Sequence, residues 1–100
     1  MKSKAAFIFV APEVDYKEHN TVIDTPAMTL YVFGVKNYDE AEAVAVELAG
    51  QGVKAFELCA GFGNEGTARI AKAVGDKAIV GSVKFDCHPL LGHQSGDKLF

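Results

Sequence analysis

Residues 57–66 read ELCAGFGNEG. Gly61, Gly63 and Gly66 fit the pattern G-x-G-x-x-G, between a strand-like run and a helix-like run. In that setting backbone amides and the positive end of a helix dipole can face a phosphate. A dinucleotide site also wants an acidic residue about 20 positions on, for the ribose hydroxyl. Asp86 stands 20 positions beyond Gly66. Three features weigh against a dinucleotide: only one of the two mononucleotide halves would fit, Glu57 places a negative charge on the strand leading to the turn, and the sequence stops soon after Asp86. A small anionic ligand at the same helix start is the simpler reading, and a sharp strand-to-helix turn with no ligand is simpler still.

Parallel α/β sheets gather ligands at the carboxyl ends of their strands. Here those ends carry Glu13, Lys36, Glu57, Cys59, Asp86, Cys87 and His88. If the protein is an enzyme, which the sequence leaves open, Glu57 or His88 would move a proton while the Gly61–Gly66 amides hold an anionic group. Phe62, Asn64, Cys59 and Asp86 would line the pocket, and His19 would fold over it from a long loop. Cys59, Asp86, Cys87 and His88 offer metal-binding atoms. Their spacing matches no metal pattern, and adjacent Cys87 and His88 suit one ion poorly, so no metal is assigned. No cofactor can be named.

The elements that must position these residues are legible from apolar patterning. AAFIFVA (5–11), TLYVFGVK (29–36), VKAFELCA (53–60) and AIVGSVKF (78–85) read as strands. Asn37 opens a helix as the cap of a capping box with Glu40, and Ala41, Val44, Ala45 and Leu48 form its apolar stripe. Asn64 is placed to cap a second helix, with Glu65 and Arg69 spaced for an ion pair and Ile70, Ala71 and Val74 on its buried side. Residues 12–27 read as a long polar loop, and 86–100 as an irregular tail rich in turn formers. Strand and helix alternate from Thr29 onward, which predicts parallel strands joined by right-handed crossovers. The expected fold is a single α/β domain over 1–100, with a mostly parallel four-stranded sheet and two crossover helices. The orientation of the first strand is left open.

Alternation along the third strand sets Val53, Ala55, Glu57 and Cys59 against Lys54, Phe56, Leu58 and Ala60. On the fourth, the apolar set Ile79, Gly81, Val83 and Phe85 is expected under the helices, with Ser82 and Lys84 on the other face beside Glu57. With both helices on one side, the other side needs cover. Loop 12–27 or a second copy would provide it, so a homodimer or larger assembly is expected.

Composition fits that picture. Apolar residues are 49% and charged residues 23%, and a formal net charge of −3 with no Lys/Arg cluster argues against nucleic acid. Two cysteines do not make a disulfide framework. Lys2 and Lys4 before an apolar run superficially suggest a signal peptide, but the run covers only residues 5–11 and Pro12 and Glu13 follow. No apolar stretch approaches the roughly 20 residues that span a bilayer. The protein reads as cytoplasmic.

With ELCAGFG, VGSVKFD and HPLLG, and also HNTVIDTP and GDKLF, the chain resembles a family of small bacterial proteins known only as a domain of unknown function. Members of that family typically show a glycine where Ala60 stands here. The resemblance implies a compact stand-alone α/β domain and brings no activity or catalytic residue with it. The expectation is therefore a small anionic-ligand pocket at the strand ends. The alternatives are a non-catalytic oligomeric module and a half-size nucleotide binder.

Overall fold

The computed structural model describes residues 2–85 and 87–100. Five strands form one sheet in the order β2-β3-β1-β4-β5: β1 (Ser3–Val10), β2 (Asn20–Asp24), β3 (Met28–Val35), β4 (Ala55–Leu58) and β5 (Ile79–Ser82). β1 lies at the centre, parallel to β3 and β4, and β5 is parallel to β4. The first strand, whose direction was left open, is thus part of the parallel core.

β2 is the strand the sequence hid. Parallel neighbours need a long connection, and between β1 and β3 it runs through β2, which descends at the sheet edge antiparallel to β3. All five of its residues are exposed, so no buried face imposed alternation on it. What had read as loop 12–27 contains this strand. It extends the sheet instead of covering it.

The crossovers β3-α1-β4 and β4-α2-β5 step across the sheet in the same direction, so one handedness places both helices on one face. Helices α1 (Tyr38–Gly50) and α2 (Asn64–Val74) pack side by side there. Under them lie Ala6, Ile8 and Val10 of β1, Phe56 and Leu58 of β4, and the α1 stripe Ala41, Val44, Ala45 and Leu48, all buried. On α2 the buried positions are Gly66, Ile70 and Val74, whereas Ala71 is exposed.

Asn37 caps α1 as expected: its Oδ1 accepts the Glu40 N–H at 2.9 Å. Glu40 reaches back to the Lys36 N–H at 3.0 Å. α2 departs from expectation. Gly63 holds the cap position and has no side chain to offer, while Asn64 turns away to accept from Lys84 Nζ at 2.6 Å. Arg69 ignores Glu65 and bridges to α1. Its Nε donates to Glu42 Oε2 at 2.9 Å, and its Nη2 donates to Glu42 Oε1 at 3.0 Å and to Asp39 Oδ1 at 2.6 Å. Two carboxylates on the neighbouring helix offer the planar guanidinium a forked geometry that one residue on its own helix cannot.

β5 corrects the expected parity. Its register sets Val80 beside Phe56 and Gly81 beside Glu57. Val80 and Ser82 therefore face the helices, and Ile79 and Gly81 turn outward, with Ile79 78% exposed. Glu57 and Lys84, expected on one face, fall on opposite faces, because Lys84 continues along the helix side to Asn64.

Asn37→Ala removes the α1 cap and should lower unfolding stability by about 1 kcal/mol in urea titration.

Candidate functional site

The carboxyl ends of β4 and β5 meet the start of α2 and the end of the chain. A helix begins with N–H groups that have no partner inside it, and Gly63 cannot cap them. Asp97 does so from 31 residues beyond Gly66, accepting the Gly66 N–H on Oδ1 and the Glu65 N–H on Oδ2, each at 2.9 Å. The Tyr38 hydroxyl donates to Asp97 Oδ1 at 2.9 Å and accepts the Gly63 N–H at 3.1 Å. It also lies 3.3 Å from the Gly61 carbonyl, but its single proton belongs to the shorter, charged partner. The glycine turn thus cradles an anion, and that anion is the chain's own carboxylate.

Packing fixes this arrangement. The Tyr38 ring stacks on Phe62, with centroids 5.4 Å apart, and meets Phe100 at 6.3 Å. A Cβ at Gly63 would overlap the Asp97 carboxylate, and one at Gly66 would overlap the Tyr38 ring. Close approach is what these two positions require. Burial pushes the Tyr38 hydroxyl up to about 12, Asp97 adds to the rise, and the Gly63 N–H partly offsets it. For Asp97, burial alone would raise the carboxyl. The Glu65 and Gly66 amides, the Tyr38 hydroxyl and the Lys84 charge outweigh it and hold the group below the ordinary carboxylate range.

Beside the turn lies a cavity of about 130 Å³, walled by residues that include Phe62, Gly63, Asn64, Ser82, Lys84 and His88. Gln94 and Ser95 close its far side. The Lys84 ammonium enters it beside Asn64. His88 Nδ1 accepts the Leu90 N–H at 3.1 Å. With Nδ1 accepting, the neutral ring carries its proton on Nε2 and presents a donor. That state suits holding an anion better than abstracting a proton.

Of the residues singled out in the sequence, Phe62, Gly63, Asn64 and His88 meet at this cavity, and Gly61 sits buried behind it. Glu57 is exposed on the opposite face of the sheet, beside Phe7 and Gly81. Cys59 is half-buried against the core, its Sγ accepting the Val10 N–H at 3.4 Å and the Gly61 N–H at 3.3 Å. His19 lies at the far edge, near Phe9 and Val32. Asp86 lies outside the described residues. Among the described residues no group of three or more His, Cys, Asp or Glu side chains could hold a metal ion.

Sequence reasoning missed Lys84 and Ser82 as pocket residues, and Tyr38 and Asp97 as the frame behind them. One signal was available: a helix opening on GFGN lacks a strong cap at Gly63, so its amides need an acceptor from elsewhere.

Fold and site together define a two-layer α/β domain with a polar cavity at the carboxyl edge of its parallel strands. The chain belongs to a family of unknown function, DUF6506, which matches residues 3–98. No match was found among the curated proteins, and none among the solved structures. Among the described residues no helix is long and apolar enough to cross a membrane.

Asp97→Asn keeps the shape but sets an amide N–H₂ against a helix N–H. It should cost about 2 kcal/mol in urea unfolding at pH 7. Because folding depresses the Asp97 carboxyl, its contribution is present above the unfolded value of about 4 and fades as pH falls through the lower folded value. The gap between wild type and variant should narrow from pH 5 to pH 2. Gly66→Ala tests the close approach. A helical glycine replaced by alanine ordinarily gains roughly 0.5–1 kcal/mol, but overlap with the pinned Tyr38 ring should reverse the sign and cost about 1–3 kcal/mol.

Proposed function

We propose that the protein binds a small anionic ligand in the cavity at the carboxyl ends of β4 and β5. The supporting observation is the lining itself. Lys84 is the one cationic wall residue among those described, and Asn64, Ser82, His88, Gln94 and Ser95 add hydrogen-bonding groups around it. A cavity of about 130 Å³ is small beside the roughly 300–1,000 Å³ of drug-sized pockets. It fits inorganic phosphate or a short-chain carboxylate, not a nucleotide.

The ligand would sit beside the α2 amides but would not use those of Glu65 and Gly66, because Asp97 already takes them. Charge comes from Lys84, a point charge that suits phosphate and carboxylate alike. Orientation comes from the Asn64 side chain and the His88 Nε2–H. Glu57 lies across the sheet, out of reach of a ligand in this cavity. The free thiols Cys59 and Cys87 fit a reducing, cytoplasmic setting.

Calorimetric titration with inorganic phosphate and a panel of two- to four-carbon carboxylates tests the reading. At least one should bind at or below millimolar concentration, and Lys84→Met should weaken it tenfold or more while its circular dichroism stays that of wild type. Silence from the whole panel, or undiminished binding by the variant, would remove the proposal.

A further inference from the structure

We infer that a second copy of this chain covers the open face of the sheet, in a twofold dimer that pairs Glu57 of each copy with His19 of the other. The inference is independent of the cavity. Both helices lie on one side, and on the other side the described chain reaches only one corner, where Val14 and Phe9 crowd over Gly34. The rest of that face presents Phe7, Leu30, Val32, Ile23 and Ile79. Ile23 is 52% exposed and Ile79 78% exposed. On β5 the Ile79 side chain is turned outward, away from the helices. An isolated domain gains nothing from an isoleucine so exposed, because the hydrophobic effect rewards its burial.

Size favours another sheet as the occupant. Five strands about 4.8 Å apart, with central strands of eight residues rising about 3.3 Å each, give a footprint on the order of 500 Å² before side-chain relief. Relief and rim contacts bring that near the roughly 800 Å² per partner of a stable interface. Two such faces stack about 10 Å apart with their strands nearly aligned.

Charge favours a copy of the same chain. A twofold interface must be self-complementary, each residue meeting its counterpart's partner. Glu57 lies on one side of the central strand, level with Phe7 and Val32. His19 lies on the other side: its carbonyl accepts the Gly34 N–H at 2.8 Å, continuing the β2 ladder, and its parity with Thr21 and Ile23 turns it to the open face. An axis running along β1 carries β4 of one copy over β3 of the other. Glu57 then arrives near Val32, within side-chain reach of His19. His19 Nδ1 accepts the Asp15 N–H at 2.9 Å, so the neutral ring has an Nε2–H to donate to the arriving carboxylate. The pair forms twice and satisfies the Glu57 charge when the face closes. A buried carboxylate needs such a partner.

Sedimentation equilibrium or light scattering from 0.5 to 50 µM tests this. Wild type should show twice the 10.7 kDa chain mass at the upper end of that range. Ile79→Lys should remain monomeric throughout; the side chain is exposed in the monomer, so its circular dichroism should match wild type. Glu57→Ala, exposed likewise, should weaken association at least tenfold by stranding His19. A monomeric wild type at 50 µM, a mass other than dimer, or undiminished association in either variant overturns the inference.

Discussion

The Asp97 carboxylate joins three segments far apart in the chain. It caps α2, accepts a hydrogen bond from Tyr38 at the head of α1, and draws the chain end over the glycine turn. Removing that carboxylate would leave two helix amides unanswered and a buried tyrosine hydroxyl without its strongest acceptor. The cavity depends on it. Gln94, Ser95 and Gly96 form its far wall, and they stand there because Asp97 holds the tail in place. The Phe100 ring beside Tyr38 secures the same fold-back.

This changes what the glycine pattern means. G-x-G-x-x-G after a strand and before a helix permits a close approach by something negative. Here the approach is made by a side chain of the same molecule, and Tyr38 fills the space beside it. The phosphate-binding logic survives in form, with a helix start facing a carboxylate of the same chain. A pattern of small residues encodes room, and only the folded chain says what occupies it.

The sheet has two unequal faces. One is sealed by α1 and α2, which the Arg69 fork to Asp39 and Glu42 holds together. The other is largely apolar and interrupted by Glu57. Expecting Glu57 and Lys84 on a common face rested on guessing that the more apolar side of β5 points inward. The register beside β4 decides otherwise, so the two charges fall on opposite sides of the sheet.

By itself the sequence determined the α/β class, four of the five strands with those from Thr29 onward running parallel, both helices and the cap of α1. These are local properties: apolar periodicity and capping chemistry act over a few residues. Within the site it pointed to the turn 61–64 and to His88. The tertiary structure decided the rest. β2 has no buried face to imprint a pattern, so only pairing with β3 reveals it. The facing of β5 is set by its neighbour's register, because alternation separates two faces without naming the inner one. Asp97, Tyr38 and Lys84 became site residues through contacts spanning 20 to 59 positions, a separation across which no local signal carries.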